Sequence, residues 1–77
     1  MKIADNDLKK IISELTGASS DSIRDETEFV NDLRMDSLKI IELIAVLTEE
    51  YGMKINEEDA MKFHTYKNLY DYAQAVG

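Results

Sequence analysis

The 77-residue sequence contains no cysteine, no proline and no tryptophan, and its one histidine is His64. Without cysteine there can be no disulfide, thiolate nucleophile or thiolate metal site, an absence that suits a reducing compartment. A lone imidazole gives a transition metal little to bind. "DSIRDETE" lacks the alternating oxygen ligands and central glycine of a calcium loop, and no glycine-rich nucleophile elbow occurs. No apolar run is long enough to span a bilayer, and "MKIADNDLKK" never reaches a hydrophobic signal core. A chain of this size hides only ~60% of its unfolded surface on folding, which leaves room for one small core but not for a deep, enclosed active site. We therefore expect a single domain over residues 1–77: a soluble, cytoplasmic monomer that is not an enzyme and holds no metal.

The net charge of -7 is unevenly distributed. Between Asp21 and Asp59 twelve carboxylates face four cationic side chains, whereas the two flanks together carry four acids and five bases. Such a centre repels nucleic acid and anionic membranes. It attracts basic protein surfaces at rates that depend on ionic strength.

Apolar spacing predicts an all-α protein. Leu8, Ile11, Ile12 and Leu15 share one face of a first helix, with Asp5 or Asn6 available as its cap and Gly17 as its stop. From Ala18 to Asp36 the chain is polar, and Ile23, Phe29, Val30 and Leu33 read as pegs fastening a long loop to the core. A second helix runs from Ser37 to Tyr51 and ends at Gly52. Its core face is Ile40, Leu43, Ile44, Leu47 and Tyr51. Leu38, Ile41 and Ala45 form a further stripe among Glu42, Thr48 and Glu49, which reads either as a partner surface or as a widened core. A short third helix starts at Glu57 with an acidic first turn. Thr65 caps a fourth, whose inward face is Tyr66, Leu69, Tyr72, Ala73 and Val76. The expected architecture is a bundle of three main helices and one short one.

Within "LRMDSLKIIEL", Asp36 is placed to cap the second helix, which makes Ser37 its first residue, with an outward hydroxyl near the positive end of the helix dipole. That position suits a phosphoserine or a phosphodiester, although aspartate–serine pairs also simply open helices. A serine nucleophile would need a base. His64, in the turn before the fourth helix, reads as a solvated or capping residue.

These features together resemble the acyl carrier protein family over nearly the whole chain. "DLRMDSLKIIEL" is similar to the family's aspartate-leucine-glycine, one residue, then aspartate-serine-leucine, followed by a glutamate-leucine pair. Phe29 stands where the family's long loop inserts an aromatic peg. "LTEEYG" and "INEEDAMKFHTYKNLYDYA" resemble the end of its second helix and its last two helices. The resemblance implies a four-helix acyl-carrier-like bundle whose Ser37 carries covalent 4'-phosphopantetheine, transferred from coenzyme A by a separate phosphopantetheinyl transferase. It implies acyl cargo held as thioesters and delivered to acyl-transferring and chain-modifying enzymes of fatty acid, polyketide or related specialised biosynthesis.

By the same resemblance, Asp36 combines capping with transferase recognition. Leu38, Ile41, Glu42, Ala45, Thr48 and Glu49 match the face that docks on basic partner surfaces, and Leu43, Ile44, Leu47, Phe63 and Leu69 are candidates for sheltering a chain. Arg34 replaces the usual glycine, Met35 a small residue and Lys39 a position that is often acidic. Arg34 and Lys39 weaken the local negative field, and Met35 is expected to add apolar surface beside the arm, so a dedicated pathway is expected over housekeeping fatty acid synthesis. A peptidyl or aminoacyl carrier shares the bundle and the serine. An unmodified helical adaptor would use the same stripe to bind a partner helix.

Overall fold

Helix α1 spans Asp5–Thr16, α2 Ser37–Tyr51, α3 Glu57–Ala60 and α4 Tyr66–Val76 in the structure, a computed structural model that describes residues 3–76. Among the described residues the only extended pairing is an isolated antiparallel bridge between Glu28 and Thr65. The expected all-α bundle, with a short third helix and a long first connection, is therefore the observed one.

Leu8 and Ile12 of α1 are fully buried, while Ile11 and Leu15 pack against the core from its edge. Gly17 ends the helix at φ 80°, a left-handed conformation that glycine adopts without steric cost, and its N–H donates to the Ser13 carbonyl at 2.8 Å. The start of α1 departs from expectation: Ala4 occupies the cap position and no side chain caps it. Asp5 lies inside the first turn, where its carboxylate accepts the Tyr66 hydroxyl and pairs with Lys9 at 3.2 Å. The acid joins the two ends of the chain and is not free to cap its own helix.

The loop from Ala18 to Asp36 contains a single 3-10 turn, Ser20–Ser22. Ile23 and Phe29 are buried pegs and Leu33 is half-buried, but Val30 is exposed and Met35 is buried in its place. The bridge to Thr65 explains the exchange. Phe29 N–H donates to the His64 carbonyl, and Tyr66 N–H to the Thr27 carbonyl, both at 2.9 Å. The bridge holds Phe29 against the core, and Val30 lies in the exposed turn that follows. The chain then turns tightly, with Asp32 and Leu33 N–H both donating to the Glu28 carbonyl, and Met35 N–H returns to the Phe29 carbonyl at 2.9 Å.

Helix α2 contributes Leu43 and Leu47 to the centre of the core and ends at Gly52, φ 64°. Asn56 Oδ1 accepts the Asp59 N–H at 2.8 Å and caps the single turn of α3. Thr65 caps α4 as expected, its hydroxyl accepting from Asn68 N–H, while Asn68 Oδ1 accepts the backbone N–H of His64 and of Thr65 in return. Tyr66, Leu69 and Ala73 face inward and Tyr72 is half-buried. The side chains of Val76 and Glu57, expected to face inward and to acidify the start of α3, lie outside what the structure describes.

Stability resides in this core. Full burial of a large apolar side chain contributes about 1.5–3 kcal/mol. Among the described residues there are three ion pairs, Lys9–Asp5, Lys39–Glu42 and Lys67–Asp71, each within one helix with both partners partly exposed, and such pairs contribute about 0.3–0.5 kcal/mol. A polar contact between Tyr66 and Asp5 joins α4 to α1. Burial, and then the bond to Asp5, push the Tyr66 hydroxyl far above its ordinary value. The same bond, opposed by partial burial and assisted by Lys9, holds the Asp5 carboxyl below 3.8. A carboxyl lowered by folding contributes its full stabilisation above the unfolded value and loses it as the pH falls through the folded one. We predict that Tyr66→Phe lowers the unfolding free energy by about 1 kcal/mol at neutral pH. In urea titrations the difference from the parent should shrink below roughly pH 4; a difference that stays constant into that range would mean the Asp5 charge contributes nothing.

Candidate functional site

Asp36 is extended (φ -96°, ψ -177°), and its Oδ1 accepts the Lys39 N–H at 2.9 Å. Ile40 N–H donates to the Asp36 carbonyl at 3.1 Å, so the helical ladder begins there. The cap makes Ser37 the first residue of α2, exposed to solvent, and leaves the N–H groups of Ser37 and Leu38 without an acceptor inside the helix. An outward hydroxyl therefore stands at the positive end of a four-turn helix. His64 is exposed and enters the hydrogen-bond network through its backbone. Among the described residues no hydrogen bond joins its ring to Ser37, so these two do not form a nucleophile–base pair.

An open groove of about 550 Å³ starts at Ser37. Ile40, Ile41, Ile44 and Ala45 of α2 form one wall, and Ile55, Ala60, Met61, Phe63 and His64 the other, with Val30 at the rim. Of the residues expected to line a chamber, Ile44 and Phe63 do so. Leu43, Leu47 and Leu69 do not, because they are buried in the core. Successive residues on a helix point about 100° apart, so α2 divides its apolar surface between the core at 43 and 47 and the groove at 40, 41, 44 and 45. The place of Val30, Ile55, Ala60, Met61 and His64 on the groove was not read from the sequence. The available signal was the surplus apolar stripe on α2, which needed a facing wall.

That wall is fastened by Tyr72 of α4. Its hydroxyl donates to Asp59 Oδ2 at 2.8 Å and lies 3.4 Å from the Lys54 carbonyl, and its ring meets Phe63 edge-on with centroids 5.1 Å apart. The bond to Asp59, followed by burial, raises the Tyr72 pKa. One aromatic side chain thus holds the segment from 54 to 63 at three points.

The second stripe of α2 is not a widened core. Leu38 and Ile41 are 63% and 56% exposed, and Ala45, Thr48 and Glu49 are exposed too. Glu42 is half-buried, with Lys39 Nζ 3.5 Å from its Oε2. Met35 is 2% exposed, which corrects the expectation that it adds apolar surface beside Ser37: its side chain completes the loop's anchor to the core. Arg34 is exposed and left-handed, at φ 55°.

Residues 6–73 match the family model described as a phosphopantetheine attachment site. Among solved structures, an acyl carrier protein from Enterococcus faecalis superposes with a TM-score of 0.82 at 30% identity, the match covering 95% of this chain and 92% of that one. An acyl carrier protein from Thermotoga maritima gives a TM-score of 0.77 at 25% identity, with 92% and 82% covered.

Arg34 occupies a conformation that costs an L-residue with a Cβ about 1–2 kcal/mol. Glycine relieves that strain but gains freedom in the unfolded chain, an opposing effect of about 0.4–1 kcal/mol. Arg34→Gly should therefore stabilise the protein by about 0.5 kcal/mol. Arg34→Val, with a branched Cβ, should destabilise it by about 1 kcal/mol or more. Urea midpoints at unchanged m-value measure both, and equal midpoints for the two variants would rule out backbone strain at this position.

Proposed function

The chain belongs to the acyl carrier protein family, whose domain is a site of covalent 4'-phosphopantetheine attachment, and from that membership we propose that Ser37 is the attachment residue and that the protein carries acyl cargo between enzymes. One observation carries the reading: a single exposed hydroxyl opens α2 at the mouth of an apolar groove. When bound, the group supplies a terminal thiol that holds cargo as a thioester. The family is a carrier and not itself an enzyme, so the contribution of this chain is to present, orient and shelter.

Each neighbouring residue fits that task. Asp36 fixes the first turn of α2 by capping Lys39 N–H, which orients the Ser37 hydroxyl outward and gives a transferase a defined shape to recognise. The unpaired N–H groups of Ser37 and Leu38, together with the helix dipole, favour an anion on that oxygen by about 0.3–1 kcal/mol. Arg34 and Lys39 add positive charge nearby. The groove walls exclude water from an apolar chain, at about 0.8 kcal/mol for each methylene buried, which supports acyl over aminoacyl cargo.

Leu38, Ile41, Glu42, Ala45, Thr48 and Glu49 form the docking surface in this reading, exposed along α2 apart from the half-buried Glu42. They meet the phosphopantetheinyl transferase and acyl-processing enzymes that present basic surfaces. The cations Arg34 and Lys39 beside Ser37 support a dedicated biosynthetic pathway over general fatty acid synthesis. Residues 1–77 act as one carrier domain, in a reducing cytoplasm that suits the lack of cysteine; among the described residues no helix is long and apolar enough to cross a membrane.

Incubation with coenzyme A, magnesium and a promiscuous phosphopantetheinyl transferase should add one phosphopantetheine mass to the protein and none to Ser37→Ala. A natural chain that gains no mass, or a Ser37→Ala chain that still does, would refute the assignment.

A further inference from the structure

Four large apolar side chains stand out as exposed among the described residues: Val30 at 60%, Leu38 at 63%, Ile41 at 56% and Met61 at 82%. They are not scattered. Val30, Ile41 and Met61 border the groove, and Leu38 lies three residues before Ile41 on α2. The exposed grease of the protein therefore surrounds Ser37 from both sides of the groove, and Met61 comes from the wall opposite α2.

Charge is divided differently. At the Ser37 end of α2, Arg34 and Lys39 stand against Asp36 and Glu42. The two cations balance the two carboxylates, and the Lys39 ammonium reaches Glu42 Oε2 at 3.5 Å, so this end is close to neutral. At the far end Glu49 and Glu50 are exposed, neither forms an ion pair among the described residues, and α2 has no cation after Lys39. Leu38, Glu42, Ala45 and Glu49 follow one another on one helix face at steps of three and four. Eleven residues separate the first from the last, about 16 Å along the axis.

We propose that Lys39 masks Glu42 and so sets which partners this carrier accepts: an enzyme surface with an apolar pad over Leu38, Ile41 and Met61 and a cation over Glu49, about 16 Å from the Leu38 end of that pad. An enzyme that places its main cation over Glu42 meets the Lys39 ammonium there and is disfavoured by like-charge repulsion, while one that places it over Glu49 is not. This proposal rests on the carrier reading above, because it describes how the same docking face is divided.

The test is the rate at which a promiscuous phosphopantetheinyl transferase with a basic carrier-binding surface loads Ser37 from coenzyme A, followed by intact mass as kcat/KM at low ionic strength. Lys39→Gln should raise kcat/KM by about threefold in the natural chain and by a smaller factor in a Glu42→Gln chain, where removing the ammonium relieves repulsion but frees no carboxylate. Glu49→Gln should lower it by about threefold or more, and by a larger factor than Glu42→Gln. Met61→Gln should lower it through KM. An equal gain from Lys39→Gln in both backgrounds would mean that Lys39 acts only through overall charge, and would overturn the masking. A larger loss at Glu42 than at Glu49 would overturn the placement of the cation, and an unchanged KM for Met61→Gln would remove the apolar pad on the far wall. A natural chain that is never loaded would remove the carrier reading, and this proposal with it.

Discussion

A pair of backbone hydrogen bonds between the long loop and the start of α4 governs the rest of the molecule. Phe29 N–H to the His64 carbonyl and Tyr66 N–H to the Thr27 carbonyl hold two distant stretches in antiparallel register. From that register follow the inward turn of Phe29, the outward turn of Val30 and the return of Met35 to the Phe29 carbonyl. Only a loop tied down in this way can deliver Asp36 to one place, and only a fixed Asp36 can open α2 at Ser37 with its hydroxyl outward. Ordering a residue costs roughly 1–2 kcal/mol of backbone entropy. The buried side chains of Ile23, Phe29 and Met35 oppose part of that cost for the loop.

Beyond the loop, the division of α2 controls function. Leu43 and Leu47 make it part of the core, and Ile40 and Ile44 make it a groove wall. Leu38 and Ile41 leave it with an apolar surface exposed to solvent. A helix serving only stability would show one apolar stripe and a charged back. The extra apolar surface costs solubility, which the acidic middle of the chain restores. The facing wall from 54 to 63 has little helix of its own and relies on Tyr72 for its position, so the groove is shaped by packing and one hydroxyl more than by regular structure.

Much of this was legible in the sequence because helix periodicity and caps are local signals. The helix limits at Gly17 and Gly52, the cap at Asp36 and the cap at Thr65 all depend on residues within a few positions of one another. The misreadings share a different origin. Asp5 looked like a cap, but it is engaged by Tyr66, 61 positions away. Val30 and Met35 exchanged roles because the bridge to Thr65 fixes where the chain turns, and nothing near either residue reports that partner. Leu43, Leu47 and Leu69 were assigned to a sheltering chamber because periodicity shows that a helix face is apolar without showing which neighbour covers it. The opposite wall of the groove, Met61 above all, follows from tertiary arrangement alone.

The central claim is that the exposed hydroxyl of Ser37 is where the protein is loaded. The most direct measurement is tandem mass spectrometry of the protein recovered from its native cell, with the modified side chain located by fragment ions. The peptide containing Ser37 should carry phosphopantetheine, in part as a thioester whose added mass identifies the cargo. Ser37 found unmodified throughout, or the group found on another residue, would contradict the account.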